Sequence, residues 1–273
     1  MKLGIIGTGN MGRILAEAML DSNAVSPSSM TVTNRTKEKA LLLKDTYPEI
    51  SVELNAIEVA KKADLIFICV KPKEVYRIIQ EIKTELKKDQ CVISITSPIS
   101  VTHLEKELNC SVARVIPSIT NRALAGVSLI TFGKNCKQKW KEDLRRLFEQ
   151  ISVPLEIGNN ITRVSSDIVS CGPAFFSYLM QRFIQAATKE TDINQQTATM
   201  LASEMLIGLG ELLKQGHYTL PTLQEKVCVK GGITGEGIKV IEAELGDMFE
   251  HLFQATHLKF DEDLAFIEEQ FSK

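Results

Sequence analysis

The fold is decided by the stretch GIIGTGNMG at residues 4–12, an apolar run that ends in the pattern G-x-G-x-x-G. A segment with helical apolar spacing follows, so the region predicts a strand, a tight turn and a helix. The first glycine permits the turn, the second lets the backbone approach a pyrophosphate, and the third lets the helix pack closely on the strand. This context predicts a dinucleotide site formed by Gly7, Thr8, Gly9, Asn10, Met11 and Gly12. The alternative is a glycine turn that binds no ligand.

The end of the second predicted strand, residues 30–34, indicates which dinucleotide binds. NAD-binding proteins usually place a carboxylate about 20 residues after the glycines to hold the ribose hydroxyls. This chain has no carboxylate there, and Arg35, Thr36 and Lys37 can instead donate to a 2′-phosphate. The sequence therefore predicts NADPH, although Arg35 alone does not exclude NADH. The alternative is that Thr36 merely caps the next helix and that Arg35 is solvated.

The composition is that of an ordinary globular protein, with 273 residues, 44% hydrophobic and 24% charged side chains and a net charge of −2. This balance does not indicate binding to nucleic acid or to an anionic membrane, so we expect a small-molecule substrate. No apolar run approaches the ~18 residues of a spanning helix, and the apolar start is too short for a signal peptide. We therefore expect a cytoplasmic protein. The six cysteines show no C-x-x-C pair and no zinc-ligand spacing, so no metal site is predicted.

Strand and helix patterns alternate through the first half of the chain. Continuous apolar strands indicate a buried parallel sheet. The pattern predicts a doubly wound α/β domain over residues 1–158, which would bind NADP, and a second domain over residues 159–273. The predicted strands are 3–7, 30–34, 51–53, 64–70, 91–95, 112–116 and 127–132. The predicted helices of this half are 11–22, 36–46, 56–62, 73–87, 100–107 and 138–150.

The second half is predicted to be all helical. Two of its segments, residues 175–180 and 200–207, are apolar nearly all round, and such helices must be buried on every side. Interlocking helices from two chains would cover them, so we expect a homo-oligomer that is at least a dimer. A compact helical monomer is the alternative. The predicted helices are 162–189, 194–216, 234–245 and 246–271.

Several predicted strands end in polar or proline-containing segments. Ligands of an open α/β sheet bind at the carboxyl ends of its strands. Each segment is a weak signal alone, because Pro and Ser are ordinary loop residues, but their common location favours a shared site. For Lys71, a solvated loop lysine is as good an explanation as a ligand-binding one. The segments are Asn55, Val70-Lys71-Pro72, Thr96-Ser97-Pro98 and Pro117-Ser118-Ile119-Thr120-Asn121.

Two glycine-containing motifs stand out in the helical half. The pair Gly172-Pro173 lies inside a helical pattern, where it is expected to break or kink the helix. The stretch 227–237 holds four glycines in front of a helix, and its N–H groups can form an anion nest for a substrate carboxylate, with the Thr234 hydroxyl as a further donor. The alternative is a capping loop with Thr234 as the N-cap. Lys230 could pair with a substrate anion or with Glu236.

Together these motifs resemble the pyrroline-5-carboxylate reductase family across essentially the whole chain. The resemblance implies a Rossmann domain, a helical dimerisation domain and the NADPH-dependent reduction of 1-pyrroline-5-carboxylate to L-proline. Residues 117–126 and 227–237 are similar to the late-competence branch of this family in bacilli. The resemblance implies a catalytic Thr234 that hydrogen-bonds near the ring nitrogen, and a substrate carboxylate held by Gly231, Gly232, Ile233 and Thr234. It places further cofactor contacts at Asn34, Arg35, Thr36, Asn55, Val70, Lys71 and Pro72.

The chain departs from the family pattern mainly where the substrate is expected. Val229-Lys230 replaces Ser-Pro in front of the glycines, Ser118 stands where the family has Asn, and Thr96-Ser97-Pro98 replaces a pair of small residues. Losing a polar contact commonly costs ~1–3 kcal/mol, enough to slow or redirect a reaction. Two alternatives therefore stay open: a weakly active or inactive NADPH-binding regulatory protein, and a reductase of another small cyclic imine. Hydroxyacid dehydrogenases of related architecture use a catalytic lysine in the long helix between their domains. This chain has no lysine between Lys141 and Lys189, so that chemistry is disfavoured.

Overall fold

The structure is a computed structural model that describes residues 1–272. Within them, eight strands form a single sheet. The strands are β1 (Leu3–Ile6), β2 (Met30–Thr33), β3 (Ser51–Val52), β4 (Leu65–Ile68), β5 (Cys91–Ser94), β6 (Ser111–Ile116), β7 (Val127–Phe132) and β8 (Val153–Glu156).

The strand order is β3-β2-β1-β4-β5-β6-β7-β8. The first six strands pair in parallel, β7 is antiparallel to β6, and β8 is parallel to β7. The order 3-2-1-4-5-6 is that of the doubly wound dinucleotide-binding sheet, whose crevice opens where the order reverses, beyond β1. The predicted α/β fold class is confirmed.

Helices lie between the strands and fill the second half of the chain. A π turn at Asp167–Cys171 and three short 3₁₀ turns add to them. The helices are α1 (Asn10–Asp21), α2 (Lys37–Thr46), α3 (Ala56–Lys62), α4 (Pro72–Ile82), α5 (Val101–Glu107), α6 (Gln138–Glu149), α7 (Thr162–Ser166), α8 (Gly172–Glu190), α9 (Gln195–Lys214), α10 (Leu220–Val227), α11 (Ile233–Leu245) and α12 (Met248–Phe271).

Alternate residues of the central strands enter two apolar cores, one on each face of the sheet. In β4, Leu65 and Phe67 belong to one core, and Ile66 and Ile68 belong to the other. This follows from the two-residue period of a strand, and it explains why the strand is apolar without a break. Helices α1, α2 and α6 cover the first core; α3, α4, α5 and the end of α12 cover the second.

Two elements, β8 and α10, were not predicted. Strand β8 lies at the edge of the sheet and contains Pro154, a residue that usually argues against a strand but is tolerated on an edge. Helix α10 is only eight residues long and follows a capping box formed by Thr219 and Thr222. That cap and Pro221 were the signals that would have located it.

The expected break at Gly172-Pro173 is a local change of helix type. Residues 167–171 form a π turn, and the chain stays helical from α7 through α8. The Gly172 N–H donates to the Asp167 carbonyl, which is the wider bonding of a π turn. Pro173 offers no N–H to the helix ladder, so a wider turn here accommodates it. The Ser170 hydroxyl, in the same turn, donates to the Pro117 carbonyl at 2.8 Å.

The chain divides into two compact units. The first comprises Met1–Pro173 together with the chain from Ala255 onward, and the second comprises Ala174–Gln254. The first unit holds both cores of the sheet, whereas the second has a small core of Ile184, Ala198 and Ala202. The domain boundary predicted from the sequence, between residues 158 and 159, stays a prediction.

We expect Gly4→Ala to destabilise the protein by about 2 kcal/mol, because overpacked cores cost energy of this order. A Cβ at Gly4 would lie 2.6 Å from Cγ1 of Val59 and 2.8 Å from Cβ of Ala63, both on the side of α3. Urea unfolding measures the effect. In a Val59→Ala background the cost of Gly4→Ala should fall, since the nearest atom is gone. Equal costs in both backgrounds would contradict this packing.

Candidate cofactor cleft and substrate loop

The glycine turn between β1 and α1 is held by close backbone packing. Gly7 has φ +102°, and its N–H donates to the Thr33 carbonyl at 2.8 Å. A Cβ on Gly12 would lie 1.9 Å from the Gly7 carbonyl oxygen, so a side chain there would push α1 away from the turn. A Cβ on Gly9 would meet nothing within 4 Å. The space in front of the N-terminus of α1 is therefore open at Gly9 and closed at Gly12.

The end of β2 is tied to this turn by Asn34. Its Oδ1 accepts the Thr8 N–H at 2.9 Å, and its Nδ2 donates to the Thr36 carbonyl at 2.9 Å. Thr8 is buried, and its hydroxyl has no hydrogen-bond partner among residues 1–272. The first turn of α1 carries no acidic side chain. A buried hydroxyl without a partner and a helix N-terminus free of acidic side chains both fit a bound phosphate group.

A cleft of about 440 Å³ opens at these strand ends. It brings together eight of the predicted cofactor residues: Gly7, Gly9, Asn34, Arg35, Thr36, Asn55, Val70 and Lys71. Four others, Thr8, Asn10, Met11 and Gly12, belong to the turn and the start of α1 outside the lining, and Pro72 is the first residue of α4. As contacts of a cofactor, all of these residues remain predictions.

Several lining residues were missed. Lys39 of α2 also lines the cleft. One face of α4 contributes Glu74, Arg77, Ile78 and Glu81. These four residues are spaced by three, one and three positions, which places them on a single helical face. Helical periodicity is therefore the sequence signal that groups them, once α4 is known to lie at the strand ends.

The charges of the cleft are mixed, with four basic side chains facing two acidic ones. Arg35 Nη1 lies 2.6 Å from Glu74 Oε1, and Arg77 pairs with Glu81. Arg35 is therefore exposed but ion-paired. Burial raises the pKa of the Cys69 thiol, so this lining residue is neutral and acts as an apolar side chain.

Two N-cap positions border the cleft. Asn55 caps α3, with its Oδ1 accepting the Glu58 N–H at 3.0 Å. Thr36 is at the N-cap position of α2, but its side chain makes no capping hydrogen bond. The Thr36 hydroxyl therefore does not cap the helix that it precedes.

The ends of β5 and β6 are held by a buried arginine that the sequence did not single out. Arg114 of β6 donates to the Ser97 carbonyl, the Thr131 hydroxyl, Asn159 Oδ1 and the Thr162 hydroxyl at 2.6–3.2 Å. Burial lowers the pKa of Arg114 to about 10, so its guanidinium is still charged at neutral pH. Its four acceptors are neutral, and they lie on four different segments of the first unit. Arg114 therefore fixes the positions of these segments relative to one another.

A second arginine, Arg163 of α7, continues this network. It pairs with the buried carboxylate of Asp167 at 2.7 Å, and its Nη1 donates to the Ser97 hydroxyl at 3.3 Å. Asp167 also accepts from the Thr256 hydroxyl at 2.8 Å. Ser97, which replaces a small residue of the family pattern, thus contacts both arginines.

Ser118, the other departure at a strand end, has a structural role. It is buried and caps a short 3₁₀ turn, accepting the Thr120 N–H, while its own N–H donates to Asn121 Oδ1 at 2.8 Å. The hydroxyl of Thr120 also donates to Ser118 Oγ at 2.9 Å. The polar groups at residues 118–121 are therefore used within this turn.

In the second unit, the predicted substrate loop leads into α11. Gly231 has φ +76°, and Gly232 is the N-cap of the helix. The alternative in which Thr234 is the N-cap is wrong, because Thr234 is the second helical residue and its side chain is exposed. The Gly232 N–H donates to the Val229 carbonyl at 2.9 Å, and a Cβ on Gly232 would lie 2.8 Å from Val229 Cγ2. Val229 therefore packs directly against the glycines.

The side chains around this loop include one ion pair and two exposed apolar residues. Glu236 pairs with Lys239 at 2.7 Å, so its observed partner is not Lys230. Ile233 is 92% exposed and Val229 is 65% exposed. The N-terminus of α11 is thus flanked by accessible apolar side chains and the Thr234 hydroxyl.

Comparison with known proteins agrees with this arrangement. Residues 2–98 match the family model described as NADP oxidoreductase, coenzyme F420-dependent, and residues 160–263 match the model of pyrroline-5-carboxylate reductase dimerisation. The chain is 54% identical to ComE operon protein 4 of Bacillus subtilis, over 99% of both chains. It is 29% identical to pyrroline-5-carboxylate reductase 3 of the same organism, over 95% of this chain and 96% of the other.

A solved structure extends the comparison to the fold. The structure of Plasmodium falciparum pyrroline carboxylate reductase with NADP bound has a TM-score of 0.83 at 22% identity and covers 97% of each chain. The chain belongs to the pyrroline-5-carboxylate reductase family, in the branch that includes ComE operon protein 4. It has the dinucleotide-binding fold of an oxidoreductase, and its helical half matches a dimerisation domain.

None of the helices within residues 1–272 is both long and apolar enough to cross a membrane. Nor does this part of the chain contain a group of three or more His, Cys, Asp or Glu side chains that could hold a metal ion.

We expect Arg114→Met to destabilise the protein by about 3 kcal/mol, because it removes the donor of the buried Thr131 and Thr162 hydroxyls and of two less buried oxygens. Urea unfolding of the full chain measures the change. Arg146→Met is the matched control, since Arg146 is exposed and, among residues 1–272, its ion-pair partner is its helix neighbour Asp143. Its effect should stay within about 0.5 kcal/mol. Equal effects of the two substitutions would contradict a bracing role for Arg114.

Proposed function

We propose that the protein catalyses the NADPH-dependent reduction of 1-pyrroline-5-carboxylate to L-proline. The observation that carries this proposal is the cleft at the N-terminus of α1, where the glycine turn, Arg35 and the loop after β4 converge. The full-length similarity to a pyrroline-5-carboxylate reductase supports the choice of reaction. NADPH, when bound, supplies the hydride.

Three features of the cleft suit a phosphorylated dinucleotide. The open space at Gly9 admits a pyrophosphate to the N–H groups of α1, whose positive end favours an anion. Arg35 and Thr36 are at the end of β2 and can donate to a 2′-phosphate. The remaining basic side chains, Lys39, Lys71 and Arg77, add positive potential around the same cleft.

In this proposal the loop before α11 binds the substrate. The N–H groups of Gly231 and Ile233 can receive the carboxylate of the substrate at the start of a helix, whereas the Gly232 N–H is already bonded to the Val229 carbonyl. Thr234 hydrogen-bonds near the ring nitrogen. The imine nitrogen takes its proton before reduction, so the carbon is already electrophilic and the product amine forms when the hydride arrives. The residues then mainly orient the substrate, and no strongly shifted acid–base pair is required.

We further propose that the protein is a homo-oligomer, at least a dimer, formed through its helical half. Within the second unit, large apolar side chains are exposed on successive helices. Large apolar side chains exposed on neighbouring segments of the chain favour an interaction surface. The match to a dimerisation domain supports a second copy of the chain as its partner. Exposed apolar residues of α8 and α9 include Phe176, Tyr178, Phe183, Met200, Leu201, Met205, Leu206 and Ile207.

A second candidate function is that of an NADPH-binding regulatory protein with little or no reductase activity. It is favoured by the 54% identity to ComE operon protein 4 and by the departures at Val229 and Ser118. Both departures replace groups at the predicted substrate contacts, whereas the glycine turn is intact. A reductase of another small cyclic imine would explain the same departures.

The deciding experiment follows NADPH oxidation by the purified protein in the presence of 1-pyrroline-5-carboxylate, with NADH in parallel. Turnover that is faster with NADPH and yields proline is the expected result. Absence of turnover in protein shown separately to bind NADPH would overturn the proposed reaction. Other cyclic imines in the same assay distinguish an altered substrate from a regulatory protein.

We expect Gly9→Ala to leave the free energy of unfolding within about 0.5 kcal/mol of the wild type, because its Cβ meets open space. NADPH binding should weaken by about tenfold or more, since the new methyl group occupies the approach to the pyrophosphate. Fluorescence titration with NADPH measures the affinity. Unchanged affinity would show that the pyrophosphate does not approach the backbone at Gly9.

We expect Thr234→Val to lower kcat/KM for 1-pyrroline-5-carboxylate by about 10–100-fold, the range expected when a hydrogen bond to a charged group is lost. NADPH affinity should not change. Thr234→Ser, which keeps the hydroxyl, is the control and should retain most of the activity. Equal losses in both variants would argue against a role for the hydroxyl.

A further inference from the structure

The ion pair between Arg35 and Glu74 brings a carboxylate to the end of β2. No acidic residue follows β2 directly, so the sequence indicated only donors at this point. Glu74 is 39 positions further along the chain, in the first turn of α4, and its Oε1 lies 2.6 Å from Arg35 Nη1. Both residues line the cleft. The acidic group that NAD-binding proteins usually carry after the second strand is here supplied by another helix.

The two partners differ in exposure. The Arg35 side chain is 81% exposed, whereas that of Glu74 is 29% exposed. Glu74 is also in the N-terminal turn of α4, where the helix dipole stabilises a negative charge. Glu74 is therefore the fixed member of the pair, and Arg35 is the member that can move toward a ligand.

We propose that Glu74 sets the preference of this cleft between NADPH and NADH, an inference that rests on the proposed dinucleotide site. A 2′-phosphate must compete with Glu74 for Arg35, and it is repelled by the carboxylate at the same time. A 2′-hydroxyl can instead donate to that carboxylate. Glu74 thus weakens NADPH binding and supports NADH binding, so the discrimination that Arg35 alone would give is reduced.

The other charges of the cleft provide an internal control. Lys39, Lys71 and Arg77 also line it, and Arg77 pairs with Glu81 on the same face of α4. Removing the charge of Glu81 takes one carboxylate from the same cleft but releases Arg77 instead of Arg35. A general effect of net charge would make the two glutamates equivalent, whereas the proposal makes only Glu74 decisive.

The experiment measures dissociation constants of NADPH and NADH by fluorescence titration for the wild type, Glu74→Gln and Glu81→Gln. Glu74→Gln should tighten NADPH binding about tenfold, or ~1.4 kcal/mol, and leave NADH binding unchanged or weaker. Glu81→Gln should change the ratio of the two constants by less than about twofold. High salt should reduce the gain from Glu74→Gln, because the pair is partly exposed.

The inference would be overturned if the ratio of the NADPH and NADH dissociation constants changed no more in Glu74→Gln than in Glu81→Gln. Because the readout is binding, it does not depend on the reaction. A protein that shows the Glu74 effect but does not reduce 1-pyrroline-5-carboxylate would support the inference and refute the proposed reaction. Failure of the wild type to bind either nucleotide would overturn both the inference and the assignment of the cofactor.

Discussion

The close approach of α1 to the end of β1 is the contact on which the cofactor cleft depends. Because Gly12 has no side chain, the start of α1 lies against the Gly7 carbonyl, where a Cβ would be only 1.9 Å from the oxygen. Gly7 in turn bonds to Thr33, and Thr8 bonds to Asn34. These contacts fix the N-terminus of α1 relative to the end of β2. In the proposed cofactor site, the turn would therefore set the distance between the pyrophosphate and the ribose.

The segment that follows β5 is held by charged side chains in place of tight backbone packing. Arg114 and Arg163 both bond to Ser97, and Arg114 also bonds to Asn159, which follows β8, and to Thr162, the first residue of α7. Ser118 is occupied in capping its own turn. Departures from the family pattern at residues 97 and 118 are thus absorbed into local hydrogen bonding. The same is not true of Val229 and Ile233, whose apolar side chains are exposed beside the loop that leads into α11.

Much of the α/β half could be predicted from the sequence, because its signals are local. Continuous apolar strands, a glycine turn and alternating helices specify a doubly wound sheet. The rule for strand ends indicated residues 55 and 70–71, which line one cleft with residues 34–36, but it also indicated residues 96–98 and 117–121, which are not among the lining residues of that cleft. The partner of Arg35 could not be predicted in this way, since Glu74 lies 39 positions further along the chain and meets Arg35 only in the folded protein. Arg114 was missed for a similar reason: a charged residue within an apolar strand becomes interpretable only when its four acceptors are known.

A crystal structure of the protein with NADP⁺ is the decisive measurement for the cofactor cleft. We expect pyrophosphate oxygens within about 3 Å of the backbone N–H groups in the first turn of α1, passing over Gly9. The adenosine ribose should then lie at the end of β2, in contact with Arg35. A dinucleotide bound elsewhere, or one whose phosphates do not contact the N-terminus of α1, would show that the glycine turn does not form the cofactor site.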